Sequence, residues 1–248
     1  MDDMVKTLCI VQARQTSSRL KGKVLLPLGE GGKTIVEHIY ERLSTPSLVD
    51  KVVFAIPDTS ENDELEAFLR NHGLEYYRGD EKNVLQRFIK GIELYSPKNV
   101  IRATADNPLV DFEKVDDFLQ TFEKKNACYA QYINTPLGVA LEVAKAEVLV
   151  EAYECSTESF EREHVTPYIY MHPDRFNLYD YKYTTQDLGH IRFTVDTPED
   201  YQLMQNVYDA LYHNAPIKIS DALDYLNQHN DVMTINKDIV QKALKDVE

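Results

Sequence analysis

Cysteine is scarce in this chain. Its three thiols, Cys9, Cys128 and Cys155, are odd in number, far apart and without Cys-x-x-Cys spacing. That excludes a disulfide framework and fits reduced thiols in a cytoplasmic protein. Cys9 falls inside an apolar run and reads as core. No apolar run approaches membrane-spanning length, and the acidic Met-Asp-Asp-Met start carries no signal-peptide pattern. Internal repeats and low-complexity segments are also missing. Basic charge is in short supply: 27 Lys and Arg against 41 Asp and Glu leave a net charge of -14. This balance excludes a general nucleic-acid binder and a polybasic membrane surface. Any anionic ligand therefore needs a local basic focus.

One stretch supplies that focus. No acid occurs between Met4 and Gly29, whereas Arg14, Arg19, Lys21 and Lys23 fall together with Thr16, Ser17, Ser18 and Gly22. The stretch follows apolar Leu8 to Ala13, which has the pattern of a buried parallel strand. Backbone N–H groups, hydroxyls and guanidinium forks beyond the carboxyl end of a strand suit a polyphosphate. A solvated basic loop is the competing reading, and the position after the strand favours phosphate. Gly29-Glu30-Gly31-Gly32-Lys33-Thr34 ends like a Walker A loop, but Pro27 stands where the first glycine is needed. It reads as a glycine turn into a helix.

Strands and helices alternate through residue 125. Strands are predicted at 7–13, 49–56, 74–77 and 99–105. Helices are predicted from Thr34 (with Glu37 in capping-box spacing), Ser60, Asn83 and Asp111. This order predicts an α/β fold with a mostly parallel central sheet flanked by helices. In the second half, strands are predicted at 128–133, 139–144, 176–184 and 191–195. Helices are predicted at 147–155, at 158–171 with a break at Pro167, from Thr197, at 220–228 and at 236–246. No linker separates the halves, so residues 1–248 read as one domain, with 127–190 as a small inserted lobe on the substrate side.

Asp106 follows one predicted strand and Asp196 another. If those strands are parallel neighbours, both carboxylates emerge on the face that carries the basic loop. Two hard oxygen ligands beside bound phosphates make a Mg²⁺ site. Singly, Asp106 also suits an Asx-turn and Asp196 a helix entry. Arg78-Gly79-Asp80 with Asn83 either reads a nucleobase edge or caps the next helix. His164 sits on a predicted helix, where packing competes with a role in a site. The Tyr run from Tyr168 to Tyr183 reads as lobe core with exposed phenolic tips.

Taken together, several segments resemble the cytidylyltransferases that make CMP-activated sugar acids, the spore-coat polysaccharide branch most closely. They are Ala13-Arg14-x-x-Ser17-Ser18-Arg19-Leu20-x-Gly22-Lys23, Tyr77-Arg78-Gly79-Asp80, Arg102-x-Thr104-x-Asp106-x-Pro108-Leu109-x-Asp111, Gly138 with Glu142-Val143, Arg162-Glu163-His164-Val165-Thr166, and Thr194-Val195-Asp196-Thr197-Pro198. The resemblance runs from residue 8 to about 201. It implies a nucleotide-diphospho-sugar transferase fold of the glycosyltransferase-A type and attack of a sugar hydroxyl on the α-phosphate of CTP. It implies that Arg14, Arg19 and Lys23 act on the triphosphate and that Asp106 and Asp196 hold Mg²⁺. It also implies nucleotide contacts from Gln12, Ala13, Ser17, Ser18, Arg78, Asp80, Asn83 and Thr104, and acceptor contacts from Glu142, Arg162 and His164. A homodimer through the 127–190 lobe is a further implication. Thr16, Lys21 and Ala105 depart from the branch, which usually has Gly, Pro and Gly there.

Two other classes compete. A glycosyltransferase consuming a sugar nucleotide commonly carries Asp-x-Asp, which this chain lacks. A non-catalytic nucleotide binder predicts loss of Lys23 or of the acids, and all are present.

Overall fold

The computed structural model describes residues 5–241. Strand β1 (Thr7–Gln12) sends Cys9 and Val11 to one face and Leu8 and Ile10 to the other. Apolar residues on both faces make a strand buried on both sides. A short hairpin of β2 (Pro27–Leu28) and β3 (Lys33–Thr34) leads into α1 (Ile35–Leu43). The Thr34 hydroxyl accepts from Glu37 N–H while the Glu37 carboxylate accepts from Thr34 N–H, completing the expected capping box. Then follow β4 (Lys51–Pro57), α2 (Asp63–Asn71), β5 (Tyr76–Gly79), α3 (Val84–Tyr95), β6 (Asn99–Thr104) and α4 (Val115–Lys124). The second half carries β7 (Tyr129–Ile133), β8 (Glu142–Lys145), α5 (Ala146–Cys155), α6 (Ser159–His164), α7 (Pro167–Tyr170), β9 (Leu178–Lys182), α8 (Pro198–Leu211), α9 (Ile219–Gln228) and α10 (Asn230–Met233).

Seven strands form one sheet in the order β5-β4-β1-β6-β8-β7-β9. Within it β8 alone runs against its neighbours, so the predicted mostly parallel sheet is present. Helices α1, α2, α4, α8 and α9 pack on one face, and α3, α5 and α7 on the other. The sheet thus has the two covered faces that parallel strands require. With β6 beside β1, the carboxyl ends of both strands share one rim, and the site forms there.

Several predicted elements fall differently. Ser60 begins a single 3₁₀ turn, and α2 starts at Asp63. Buried Asp111 does not cap α4. It accepts from the N–H groups of Glu113 and Lys114 and from the Tyr132 and Tyr183 hydroxyls, and the helix starts at Val115. The Tyr183 phenol is therefore buried and satisfied, not exposed. The predicted helix at 158–171 is split, with Pro167 opening α7. Between the halves, Val165 has φ 73° and ψ -53°, and Thr166 N–H donates to His164 O at 2.9 Å. Such a three-residue turn is strained for a β-branched residue. Residues 127–190 add β7, β8 and β9 to the edge of the main sheet; they do not build a sheet of their own. Residues 236–241 form a turn and irregular chain, and the rest of the helix predicted at 236–246 lies outside the described residues.

The largest departure concerns 191–195, which is not a strand of the sheet. It is an extended segment laced to two loops: Leu137 N–H donates to Ile191 O and Phe193 N–H to Leu137 O, both at 2.8 Å. Val195 N–H donates to Asp106 O at 2.8 Å. The chain around one predicted metal ligand thus holds the backbone of the other.

Candidate active site

The loop after β1 opens onto a cleft of about 550 Å³. Gln12, Ala13, Arg14, Ser17, Arg19 and Lys23, from the end of β1 and the loop after it, line this cleft. Thr104 and Asp106, at the end of the neighbouring strand β6, line it too, with Asp196 and His164. Lys23 lies in a 3₁₀ turn, Lys23–Leu25, that turns its side chain inward until the residue is 7% exposed. Its ammonium stands 3.1 Å from Asp106 Oδ2 and 2.8 Å from Asp196 Oδ1. The two carboxylates therefore face each other across one cation. Burial alone would lower the Lys23 pKa, but Asp106 and Asp196 outweigh it and raise it. Burial likewise works against ionised Asp106, and Lys23 with the Thr104 hydroxyl outweighs it, so its pKa is lowered. Both groups are charged at neutral pH.

Asp196 also receives Arg192 at 2.8 Å and Arg19 at 3.1 Å on Oδ2. The helix-entry role belongs to a different acid. Asp200 Oδ2 accepts from the N–H groups of Asp196 and Thr197, and Thr197 Oγ1 accepts from Asp200 N–H. Capping is thus done by Thr197 together with Asp200, and the Asp196 carboxylate is left to face the cleft. Asp106 is fixed by Thr104, whose hydroxyl donates to Oδ1 at 2.5 Å.

Six expected site residues do not line this cleft. Arg78 is held by Asp58, Asp63 and Glu66 and by the Thr59 carbonyl. Asp80 accepts from Lys82 and Asn83 N–H, and Asn83 caps α3 by accepting from Gln86 N–H. For these two, the capping alternative describes the structure. Arg162 donates to Ser156 O and ties the turn between α5 and α6. Glu142 lies behind the wall. It accepts from Arg102 at 2.6 Å, from the Tyr129 hydroxyl at 2.5 Å and from the Thr166 hydroxyl at 3.0 Å. Arg102 itself lines the cleft and donates to Gln12 Oε1, so Glu142 positions a lining residue. Ser18 belongs to the basic loop but is not part of the lining.

The cleft also contains two cations that sequence reasoning did not single out, Lys82 and Arg87, and it is lined by Arg102, Gly138 and Glu163 of the motifs quoted above, to which no role was given. For Arg87 a signal existed. Its spacing from Val84, Phe88 and Gly91 puts it on the apolar face of α3, where an arginine is out of place.

Asp106 and Asp196 fit a divalent cation. They are hard oxygen donors, already converged on one positive charge, beside a polar cleft. Among the described residues no group of three or more His, Cys, Asp or Glu forms a metal cage. That suits an ion held by two carboxylates and completed by substrate phosphate and water.

The family model described as "Cytidylyltransferase" matches residues 8–239. The spore coat polysaccharide biosynthesis protein SpsF of Bacillus subtilis is 34% identical over 231 residues, covering 92% of this chain and 96% of that protein. A cytidylyltransferase structure from Leptospira borgpetersenii has a TM-score of 0.86 at 22% identity, covering 96% of this chain and all of that one. The structure of a CMP:2-keto-3-deoxy-manno-octonic acid synthetase complexed with CTP has a TM-score of 0.60 at 18% identity, covering 82% and 98%.

Proposed function

Because this chain belongs to the cytidylyltransferase family, we propose that it transfers a cytidylyl group from CTP to a sugar or sugar-acid hydroxyl, releasing pyrophosphate, for surface polysaccharide synthesis. The observation that carries this reading is Lys23 suspended between Asp106 and Asp196 at the mouth of an acid-free basic loop. The bond that forms joins the acceptor oxygen to the α-phosphorus. The bond that breaks joins the α-phosphorus to the bridging oxygen of pyrophosphate, and the acceptor hydroxyl loses its proton. Such transfer depends on positioning and charge neutralisation more than on a dedicated base.

Arg14, Arg19 and Lys23 neutralise the triphosphate. In the free protein Lys23 and Arg19 are occupied by Asp106 and Asp196. Loading the nucleotide exchanges these carboxylate contacts for phosphate oxygens, and the carboxylates become available to a divalent cation, which we assign as Mg²⁺. When bound, that ion adds charge neutralisation at the α-phosphate and lowers the pKa of the attacking hydroxyl. His164 and Glu163 of α6 also line the cleft and are assigned to the acceptor. The 127–190 segment, whose outer strand β9 ends the sheet, is assigned to the acceptor side and to contact with a second copy. The unpaired cysteines accord with a cytoplasmic site of action, which we assign to the protein.

The test is a nucleotide panel. With Mg²⁺ present, CTP is expected to raise the melting temperature more than UTP, ATP or GTP. An equal or larger shift with ATP or GTP would remove cytidylyl transfer and leave nucleotidyl transfer.

A further inference from the structure

Arg87 has no task in that scheme, yet it lines the cleft. It sits on α3 and is 2% exposed. Its Nε and Nη1 have no hydrogen-bond partner among the described residues. A buried guanidinium without an acceptor is costly, because its hydration is lost and nothing replaces it. Asp80 and Glu81 lie near enough to favour the charge weakly, but neither forms an ion pair with it, and Arg14 opposes it with the same sign. Burial is the main cause that pulls the guanidinium pKa down to about 10.

The surrounding backbone is built to put Arg87 there. A Cβ at Gly79, on β5, would lie 2.8 Å from Arg87 Cγ, so only glycine lets the arginine stem pass across the strand end. The Tyr77 hydroxyl donates to the Arg87 carbonyl at 2.8 Å and pins this turn of α3 to the sheet.

We propose that Arg87 of α3, with Arg14, forms an oxyanion subsite that binds phosphate oxygens of the nucleotide in the cleft that Arg19 and Lys23 also line. The subsite rests on the nucleotidyl-transfer reading. Phosphate suits it because a planar guanidinium offers paired N–H donors to two oxygens at once, and because Arg14 lines the same cleft. The unpartnered Nε and Nη1 of Arg87 are then a stored cost of the free protein, released when nucleotide enters.

The experiment compares wild type with Arg87→Gln, Arg87→Lys and Gly79→Ala. Binding of CTP, inorganic pyrophosphate and cytidine is measured by calorimetry with Mg²⁺, alongside the melting temperature without ligand. Arg87→Gln is expected to weaken CTP and pyrophosphate at least tenfold and to leave cytidine unchanged. Its ligand-free melting temperature should equal or exceed that of wild type, because an unsatisfied buried charge has been removed. Arg87→Lys should fall between the two. Gly79→Ala should weaken CTP with the arginine still present, by displacing it.

CTP and pyrophosphate affinities within twofold of wild type in Arg87→Gln would overturn the subsite. So would a parallel loss of cytidine and CTP with pyrophosphate retained, which is the mark of a base contact. A loss confined to the KM of an acceptor would overturn it as well, because the anion would then be the acceptor's own. If Arg87→Gln does not fold, unchanged CTP affinity in both Arg87→Lys and Gly79→Ala is the contradicting result. The two proposals fail separately. Arg87-dependent pyrophosphate binding without CTP preference removes the base assignment alone. Full CTP preference with an indifferent Arg87→Gln removes the subsite alone.

Discussion

Asp196 shows how much one side chain's surroundings decide. On sequence grounds, two neighbouring carboxylates repel, and neutralising either one should leave the melting temperature of the empty protein nearly unchanged or raise it. The structure reverses that expectation for Asp196, which is contacted by Lys23, Arg192 and Arg19. Asp196→Asn leaves those cations short of a partner. It should lower ligand-free stability by about 2 kcal/mol, the scale of a buried charge-assisted bond. Asp106 has a 30% exposed side chain, and Lys23 keeps Asp196 when it is changed. Asp106→Asn should cost less than about 1 kcal/mol. Urea unfolding of both variants checks this, and a more stable Asp196→Asn would contradict the charge arrangement.

His38 gives a prediction in pH. It is 1% exposed on α1, its Nε2 lies 3.1 Å from the Leu28 carbonyl, and its ring packs against Tyr208 and Tyr212. Burial pulls its pKa from 6.5 to about 4; Leu28 O, Glu41 and Glu37 oppose the shift, and Lys33 adds to it. Above pH 6.5 the ring is neutral in both states and contributes no pH dependence. Between 6.5 and 4 the unfolded chain takes up the proton first, so stability falls as pH falls. The loss amounts to about 3 kcal/mol at most. His38→Gln keeps a donor for Leu28 O and should flatten the stability profile between pH 6.5 and 4 relative to wild type. Parallel profiles would show that the ring titrates normally.

At the scale of elements, the segment 191–195 carries the site. Its sequence alternates like a strand, which explains the sheet assignment, but the sheet runs from β6 directly to β8. What places the segment is Gly138, at φ 92°. A Cβ there would lie 2.5 Å from Thr194 N. Gly138→Ala forces the 137–138 loop away from 191–195 and so separates Asp196 from Asp106. The expected result is a loss of more than about 2 kcal/mol in stability and a larger loss in turnover than in CTP affinity, because Arg14 and Arg19 remain. Wild-type melting and kinetics in this variant would show that the loop tolerates displacement.

Local signals explain which elements could be read from sequence. The Thr34–Glu37 box and Pro167 lie within a few residues of what they control. Asp196 meets Asp106 only through contacts between distant loops, which have no local signature. The same limit applies to Arg78. Its place in Arg78-Gly79-Asp80 after a strand suggested a nucleobase contact, whereas Asp63 and Glu66 of the preceding helix α2 take its charge. Arg87 was legible by periodicity, but its significance depends on Gly79, five residues before the first residue of the helix.

For the whole molecule, a net charge of -14 repels a triphosphate at long range, and the cleft must overcome this with a small cationic set. Salt screens the general repulsion and the local attraction to different degrees, since the Debye length is about 8 Å at physiological ionic strength. The affinity for CTP should therefore depend less steeply on salt in wild type than is usual for a site of this charge in a basic protein. An Arg19→Ala variant should bind CTP at least tenfold more weakly at every ionic strength tested, because its contact is local. Convergence with wild type at high salt would show that Arg19 acts only at a distance.

The most direct test of the account is pyrophosphate release from CTP and Mg²⁺, measured with a panel of ulosonic acids and simple sugars on wild type, Asp106→Asn and Asp196→Asn. Wild type is expected to turn over with at least one acceptor. Both variants, folded as judged by their melting curves, are expected to lose that turnover by a factor of at least 100. A wild type that turns over and two folded Asn variants that keep its rate would contradict the placement of the chemistry at Lys23, Asp106 and Asp196.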